Sequence, residues 1–563
     1  MWLLSSKNNL GIDTLDLKIN FSDQFLYTDE QIFEYKTNSI HLAVFGNPWP
    51  RFEIQKDNLN KTKFNWLISC IDINKMNFIN YIKGDFVIFI ELNKILYVFN
   101  DHFGFSQVYV NTKNGNVSNN FKLLRTQSNS FNDLAIAQHI LYNRTIGETT
   151  FDKNIENKEG ANLIEFSSGI IKYGKYWDYK ESLINNSDKY SLQDIIDFSI
   201  QNTSFFYKFF DVDQTHVTLT GGKDSRSALA LLLNQGITPI GINYGSDKSK
   251  DIVYAKKLAE KIGIDCKTIH VKPNSEKYYF LLDELMNQFP MTSIHRAHRY
   301  AAFKEIRPKK EDFNVLFNGY LGGELLMGIY PDKLVFTQHV LTQIGISKTE
   351  DKKTNYFETN LMTNIFKNQV KNKTVLTNEL DAIFNIGIKH HLQDIHLSKE
   401  YCNYVFPFFL DIDFIERIFN SNFNFSHVDN RSKNLFKRYH LYQFNCELQY
   451  QSSPQLRTIP FAKKGNYTLT DYKKGPLFWS FKKVLNHIKE KKYPPNFVYD
   501  NNYLFWVIEQ LEEISLDKNL TIHDYFNVSE ALNILKKDIK TTFSESEILP
   551  YTRIIMFSNY LSN

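Results

Sequence analysis

The sequence predicts an α/β protein in two parts. A layered, β-rich N-terminal domain is expected over residues 1–180, and a parallel-sheet domain with a helical C-terminal part over 190–563. Three observations lead there. A chain of 563 residues is too long for one hydrophobic core. Its first third carries short runs of β-branched and aromatic residues separated by turn residues. After about residue 190, strand-like runs alternate with helical patterns, which implies a parallel sheet.

In the first part, "SIHLAVFG", "DFVIFIEL" and "KILYVFN" read as strands, and "ANLIEFSSGIIKYGKYWDY" as a hairpin turning at Ser168-Gly169. Only "LAIAQHILYN" reads as a helix there, and the boundary falls near "WDYKESLINNSDKYS". In the second part, "SLQDIIDFSIQNTSFFYKFF" is helical and "HVTLT" is a strand. A glycine turn and a helix follow, and then "TPIGINYG" as a strand. "SKDIVYAKKLAEKIG" is an amphipathic helix, with Ile252, Val253, Ala255, Leu258, Ala259 and Ile262 on one side and Gly263 as its C-cap. "CKTIHV" is the next strand. Right-handed crossovers place helices on both faces of such a sheet, and ligands sit at the carboxyl ends of its strands. Leu219, Asn243 and Gly319 stand at strand ends of this kind and are candidate nucleotide contacts. Beyond residue 330 the pattern is mostly helical.

Composition excludes more than it assigns. The net charge of +4 comes from 66 basic and 62 acidic residues, so no polyanion is demanded as a partner. Cys70, Cys266, Cys402 and Cys446 are far apart, which argues against structural zinc and a disulfide framework. No stretch reads as a signal peptide or a membrane span, so a cytoplasmic protein is expected.

The chemistry begins at "VTLTGGKDSRSALALLLNQG". A helix N-terminus offers unpaired N–H groups and the positive end of a dipole, and adjacent glycines let backbone approach a ligand. Thr220, Gly221, Gly222, Lys223, Asp224 and Ser225 therefore suit a nucleotide's phosphates, with Asp224 as a candidate magnesium ligand. The competing reading is an ordinary turn whose Asp and Ser cap the helix. The G-x-x-x-x-G-K-[ST] pattern of a P-loop is absent.

This loop resembles the Ser-Gly-Gly-x-Asp-Ser pyrophosphate loop of ATP-pyrophosphatase enzymes. Upstream, "KGDFVIFIELNKILYVFNDHFGFSQVYV" resembles the glutaminase domain of asparagine synthetases at Gly84, Asp85, Phe86, Asp101, Phe103 and Gly104. With "FDKNIENKEGANLIEFSSGIIKYGKYWDY" the resemblance spans nearly the whole chain, and it is to asparagine synthetase-like ATP-dependent amide ligases. It implies an Ntn-hydrolase-like first domain, an ATP-pyrophosphatase second domain, and ATP with Mg²⁺ as cofactors.

Three departures from that family are informative. A working glutaminase uses an N-terminal cysteine, and here the second residue is Trp2, so glutamine is not expected to donate nitrogen. β-Lactam synthetases and lasso-peptide cyclases show the same loss. In "NVLFNGYLGGELLMGIY", Tyr320 stands where asparagine synthetases carry Glu and β-lactam synthetases carry Tyr. Gly323 falls on the family's magnesium-binding Asp, and Glu324 is the neighbour that could substitute. The late catalytic lysine of the family falls on Lys463 or Lys464 in "RTIPFAKKGNY", after Pro407 and Asp411. Glu350 and Glu358 are candidate partners for Tyr320. In "SIHRAHRY", the cations of Arg296 and Arg299 suit a substrate or phosphate better than His295 and His298 suit a metal. "RSKNLFKRYH" reads as a basic helix face.

The expected function is ATP-dependent amide-bond formation through an acyl-adenylate, releasing AMP and pyrophosphate. Intramolecular closure to a lactam or macrolactam is the first expectation, on a small molecule or peptide carrying both a carboxylate and an amine. A precursor peptide or a protease would then be a partner. Intermolecular ligation, amidation with free ammonia and an inactive nucleotide-binding scaffold are the alternatives.

Overall fold

The computed structural model describes residues 1–6, 15, 17–55, 64–125, 131–142, 145, 147–183, 189–245, 248–269, 284–285, 296–306, 313–328, 380, 383–424, 434–462, 467–488, 499–537, 542–543 and 545–562. Contacts divide the chain into two units that do not follow chain order. The first comprises Met1–Ala135, Thr145–Val212 and Phe409–Asn422; the second comprises Ile136–Arg144, Asp213–Phe408 and Phe423–Asn563.

The first unit holds strands β1 (Trp2–Ser5), β2 (Leu17–Asn20), β3 (Phe25–Thr28), β4 (Phe33–Lys36), β5 (Ile40–Pro50) and β6 (Ile82–Leu92). It continues with β7 (Ile95–Asn100), β8 (Tyr109–Asn111), β9 (Val117–Ser118), β10 (Ile155–Asn157), β11 (Asn162–Ser167) and β12 (Ile170–Lys175). They form two six-stranded sheets, β10-β8-β9-β1-β3-β2 and β12-β11-β7-β6-β5-β4. The pairings are antiparallel. The expected hairpin is β11–β12, and Ser168 and Gly169 both take positive φ, as a two-residue I′ turn requires.

Strand β6 shows why its sequence is almost continuously apolar. Side chains alternate between faces, and both faces are covered. Val87 and Phe89 join a core with Trp2, Leu4, Leu26, Val110 and Val117 from the other sheet. Phe86, Ile88 and Ile90 join a second core with Trp66, Leu67, Cys70 and Ile71 of the helix Asn65–Asn74. Trp2 is thus a core residue, packed on Phe45 and Phe89.

A buried polar cluster ties the segment 409–422 into this unit. The Lys83 ammonium donates to Asp411 at 2.8 Å, to Asp413 at 2.6 Å and to Asn202 at 2.8 Å. Arg51 donates to Asp413 at 2.7 Å and also to Glu416. Burial opposes ionisation of Asp413, but Lys83 and Arg51 outweigh it and hold the carboxyl well below its usual range.

The second unit is built on five parallel strands, β13 (Gln214–Thr218), β14 (Ile240–Tyr244), β15 (Cys266–Ile269), β16 (Asn314–Asn318) and β17 (Tyr404–Pro407). Their order is β15-β14-β13-β16-β17. The winding direction therefore reverses between β13 and β16, the kind of switch point at whose carboxyl ends such sheets bind ligands. The predicted helices Asp224–Asn234 and Lys250–Ile262 are present, and Gly263 closes the latter in the left-handed conformation. The described remainder is mostly helical. Among the described residues no helix is long and apolar enough to cross a membrane.

Candidate nucleotide and acyl-transfer site

The glycine turn lies between β13 and the helix Asp224–Asn234, at the switch point. It is closed by its own hydroxyls. Thr220 Oγ1 and Ser225 Oγ are 2.9 Å apart, the Thr220 N–H donates to Ser225 Oγ at 3.2 Å, and the Gly222 N–H donates to Thr220 Oγ1 at 3.1 Å. Gly221 is enclosed: a Cβ there would stand 2.1 Å from Ala462 Cβ and 2.8 Å from Tyr254 Cβ. The Ala462 N–H donates to the Gly221 carbonyl at 2.9 Å. Behind this contact lies Arg226, which is fully buried. It donates to the carbonyls of Ile459 at 2.8 Å and Pro460 at 3.0 Å, and lies over Phe461. Burial lowers its guanidinium to about 10.

Two amides of the helix Gln443–Ser452 fix the first turn. Asn445 donates to Asp224 Oδ1 at 3.0 Å and accepts from Ser227 Oγ at 2.7 Å. Gln449 donates to the Lys223 carbonyl at 2.9 Å and to Ser227 Oγ at 2.8 Å. The Lys223 side chain is buried with its ammonium 3.1 Å from the Tyr442 ring centroid, and Tyr467 and Phe461 lie near it. Its part in the loop is then its backbone, the ammonium being held against aromatic faces.

The end of β16 closes on this turn. A Cβ on Gly319 would stand 2.3 Å from the Asp224 carbonyl carbon and oxygen, so backbone meets backbone here. Leu321 takes a positive φ of 69° in the turn that follows. That turn brings Gly323 against Asp224: a Cβ there would stand 3.5 Å from Asp224 Oδ2. The position thus faces the candidate metal carboxylate but supplies no ligand. Glu324 instead faces His391, with Oε1 3.8 Å from Nε2. Among the described residues no cluster of three or more acidic, His or Cys side chains could hold a metal. Magnesium accepts one or two carboxylates when phosphates and water complete its shell. Asp224 fits an ion that arrives on a nucleotide, and no dedicated protein cage is present among these residues.

Tyr320 stacks on His391, with ring centroids 4.9 Å apart and planes 18° apart. Its hydroxyl is buried with no hydrogen-bond partner among the described residues. Burial, and then the charge of Asp394, push the phenol well above its ordinary value. Leu219 is a core residue whose N–H donates to the Ile242 carbonyl at 2.9 Å. Asn243 donates to Cys266 Sγ at 3.3 Å, and its Oδ1 has no partner among the described residues. Arg296 and Arg299 both bind Asp394, at 2.8 and 2.7 Å. Lys463, Lys464, Glu350, Glu358 and His295 lie outside the described residues. The structure therefore sets Gly319 and Gly323 against Asp224 of the 220–225 turn, and Tyr320 and Glu324 against His391. Arg226, His391, Asn445 and Gln449 are site-building residues that the sequence did not reveal.

No protein-family model and no curated protein matches the chain. Among solved structures, it is similar to a glutamine-dependent NAD⁺ synthetase from Acinetobacter baumannii in complex with ADP. That likeness has 12% identity over 29% of this chain and 30% of that one, with a TM-score of 0.18. It is also similar to an NMN synthetase from Francisella tularensis, at 15% identity over 36% of this chain and 97% of that one, TM-score 0.21. A third likeness is to the glutamine PRPP amidotransferase from B. subtilis, at 12% identity over 52% and 60%, TM-score 0.18. The chain spans less than a third of the NAD⁺ synthetase. Likenesses this distant decide neither the fold nor the reaction.

Proposed function

We propose that this protein joins a carboxylate to an amine at the expense of ATP, forming AMP and pyrophosphate by way of an acyl-adenylate. The observation that carries this reading is the 220–225 loop, closed by Thr220 and Ser225, with Asp224 set against the 319–323 turn. Backbone N–H groups at the start of the helix Asp224–Asn234 would hold the β- and γ-phosphates. A substrate carboxylate oxygen bonds to the α-phosphorus as the bond to the pyrophosphate oxygen breaks. An amine nitrogen then attacks the acyl carbon, AMP leaves, and the nitrogen sheds a proton. Mg²⁺, held by Asp224 and the phosphates, would supply charge neutralisation when bound. Lys463 or Lys464 would stabilise charge developing on the α-phosphate. Each follows Ala462 in the chain by one or two residues, and Ala462 is hydrogen-bonded to Gly221.

The amine is read as the substrate's own, giving a lactam or macrolactam in natural-product or modified-peptide biosynthesis. Trp2 is packed in the core, and Cys70, Cys402 and Cys446 are buried, which supports the absence of a glutaminase nucleophile. Tyr320, in the position where β-lactam synthetases carry Tyr and next to Gly319, supports an organic amine. A second reading has its own observation: Gly323 faces Asp224 without a ligand, which would suit a nucleotide-binding scaffold that does no chemistry.

Chromatography of ATP incubated with protein and candidate amino-carboxylates tests these. AMP and pyrophosphate, with no ADP, support the ligase. Nucleotide binding without turnover supports the scaffold. Asp224→Ala should abolish pyrophosphate formation with the fold retained.

A further inference from the structure

The helix Pro476–Ile488 turns an apolar stripe outward. Leu477, Phe481, Val484 and Leu485 are 40–68% exposed. Their spacing places them on one arc of about 100°. On the opposite side Trp479 is buried against Tyr439, Tyr467 and Tyr472 and anchors the helix. The helix Leu435–His440 packs beside it and adds exposed Phe436, Lys437 and Arg438. Scattered exposed apolar residues are ordinary, but a contiguous stripe marks an interaction surface.

Charge indicates what covers it. Across 434–488 the described residues hold seven Lys and Arg, Lys482 among them, against two Asp and Glu, a surplus of five. The whole chain is only +4, which leaves −1 for the rest. Lys473 and Lys474 are exposed just before the stripe. We propose that this face docks on an anionic lipid surface. The helix would lie in the plane of the bilayer, its apolar stripe at the acyl boundary and its lysines at the headgroup phosphates. A nucleic acid would use the cations but leave four apolar side chains in water. The inference is independent of the ligase reading.

The test is co-sedimentation of the full chain with neutral phosphatidylcholine vesicles and with vesicles carrying about 30% phosphatidylglycerol. Binding to the anionic vesicles should exceed that to neutral ones by at least about tenfold, and should fall as salt rises to about 0.5 M. Phe481→Glu with Val484→Glu, and separately Lys474→Glu with Lys482→Glu, should each weaken it by about tenfold or more. Thermal melting should be unchanged, because these side chains are surface groups. Failure to bind anionic vesicles, equal binding to neutral ones, or undiminished binding by both double variants would overturn the proposal. Capture by poly-glutamate but by neither vesicle would overturn it too, giving the face to an acidic polypeptide.

Discussion

Gly319→Ala should disable the site while Gly323→Ala spares it, although the two glycines are four residues apart on one turn. At 319 the new methyl would stand 2.3 Å from the Asp224 carbonyl carbon and oxygen and 2.6 Å from the Ser225 nitrogen. Ordinary contact between carbons is about 3.5–4.0 Å, so more than about 1 Å must be found. Both partners are backbone, one at the end of β16 and the other in the first helical turn, and neither can swing aside. Overpacking of this kind costs about 1–3 kcal/mol. If that energy falls on the loop, pyrophosphate formation should slow by about 10- to 10²-fold, at about 1.4 kcal/mol per decade. At 323 the methyl meets Asp224 Oδ2 and Met327 Cε at 3.5 Å, an ordinary contact. The assay is the rate of pyrophosphate release alongside ATP affinity by calorimetry, with melting curves as a control. Equal behaviour of the two variants, or a silent Gly319→Ala, would refute the reasoning.

Tyr320→Phe should spare substrate-dependent pyrophosphate exchange into ATP but slow amide formation by about 10²–10⁴; an unchanged amide rate would make the ring a packing partner of His391 and nothing more. Lys463→Ala, or failing that Lys464→Ala, should leave ATP binding nearly intact and lower turnover by about 10² or more, so a parallel loss of binding would reassign the lysine to ground-state contact. Purified protein given glutamine should release no glutamate, since burial raises the thiols of Cys266 and Cys446 to about 11 and about 12; steady glutamate release would contradict this. Burial, and then Arg51, lower His102 to about 3, so the native state binds fewer protons than the unfolded chain below about pH 6.5. Stability should therefore fall on acidification from pH 6.5 towards 3 by up to about 1.4 kcal/mol per unit, and His102→Asn should flatten that slope in urea titrations.

Local pattern made the sheets legible. The apolar runs of β5 and β6 and the Ser168-Gly169 turn are properties of a few adjacent residues. The glycine turn was legible for the same reason. Asn445 and Gln449 were not, because they meet Asp224 and Lys223 across more than 200 positions. No spacing rule connects residues so distant. Gly319 and Gly323 were both visible as motif positions, but only the direction of each absent Cβ separates a steric requirement from a missing ligand. The stacking of Tyr320 on His391 was likewise hidden: "IKHHLQDIHL" reads as a helix and says nothing of which ring it meets.

The pairing of Lys83 with Asp411 and Asp413 sets a schedule for synthesis. The amine leaves the ribosome 328 positions before one of its counter-charges and 330 before the other. At roughly 5–20 residues per second, the wait is on the order of a minute or less. Through that interval the first unit must either keep Lys83 in water or bury an uncompensated cation, and the second is worth several kcal/mol against folding. Its polar core therefore closes late, after β13 to β17 have been made. A fragment ending at residue 212 should stay incompletely packed, and supplying residues 409–422 as a separate peptide should complete it.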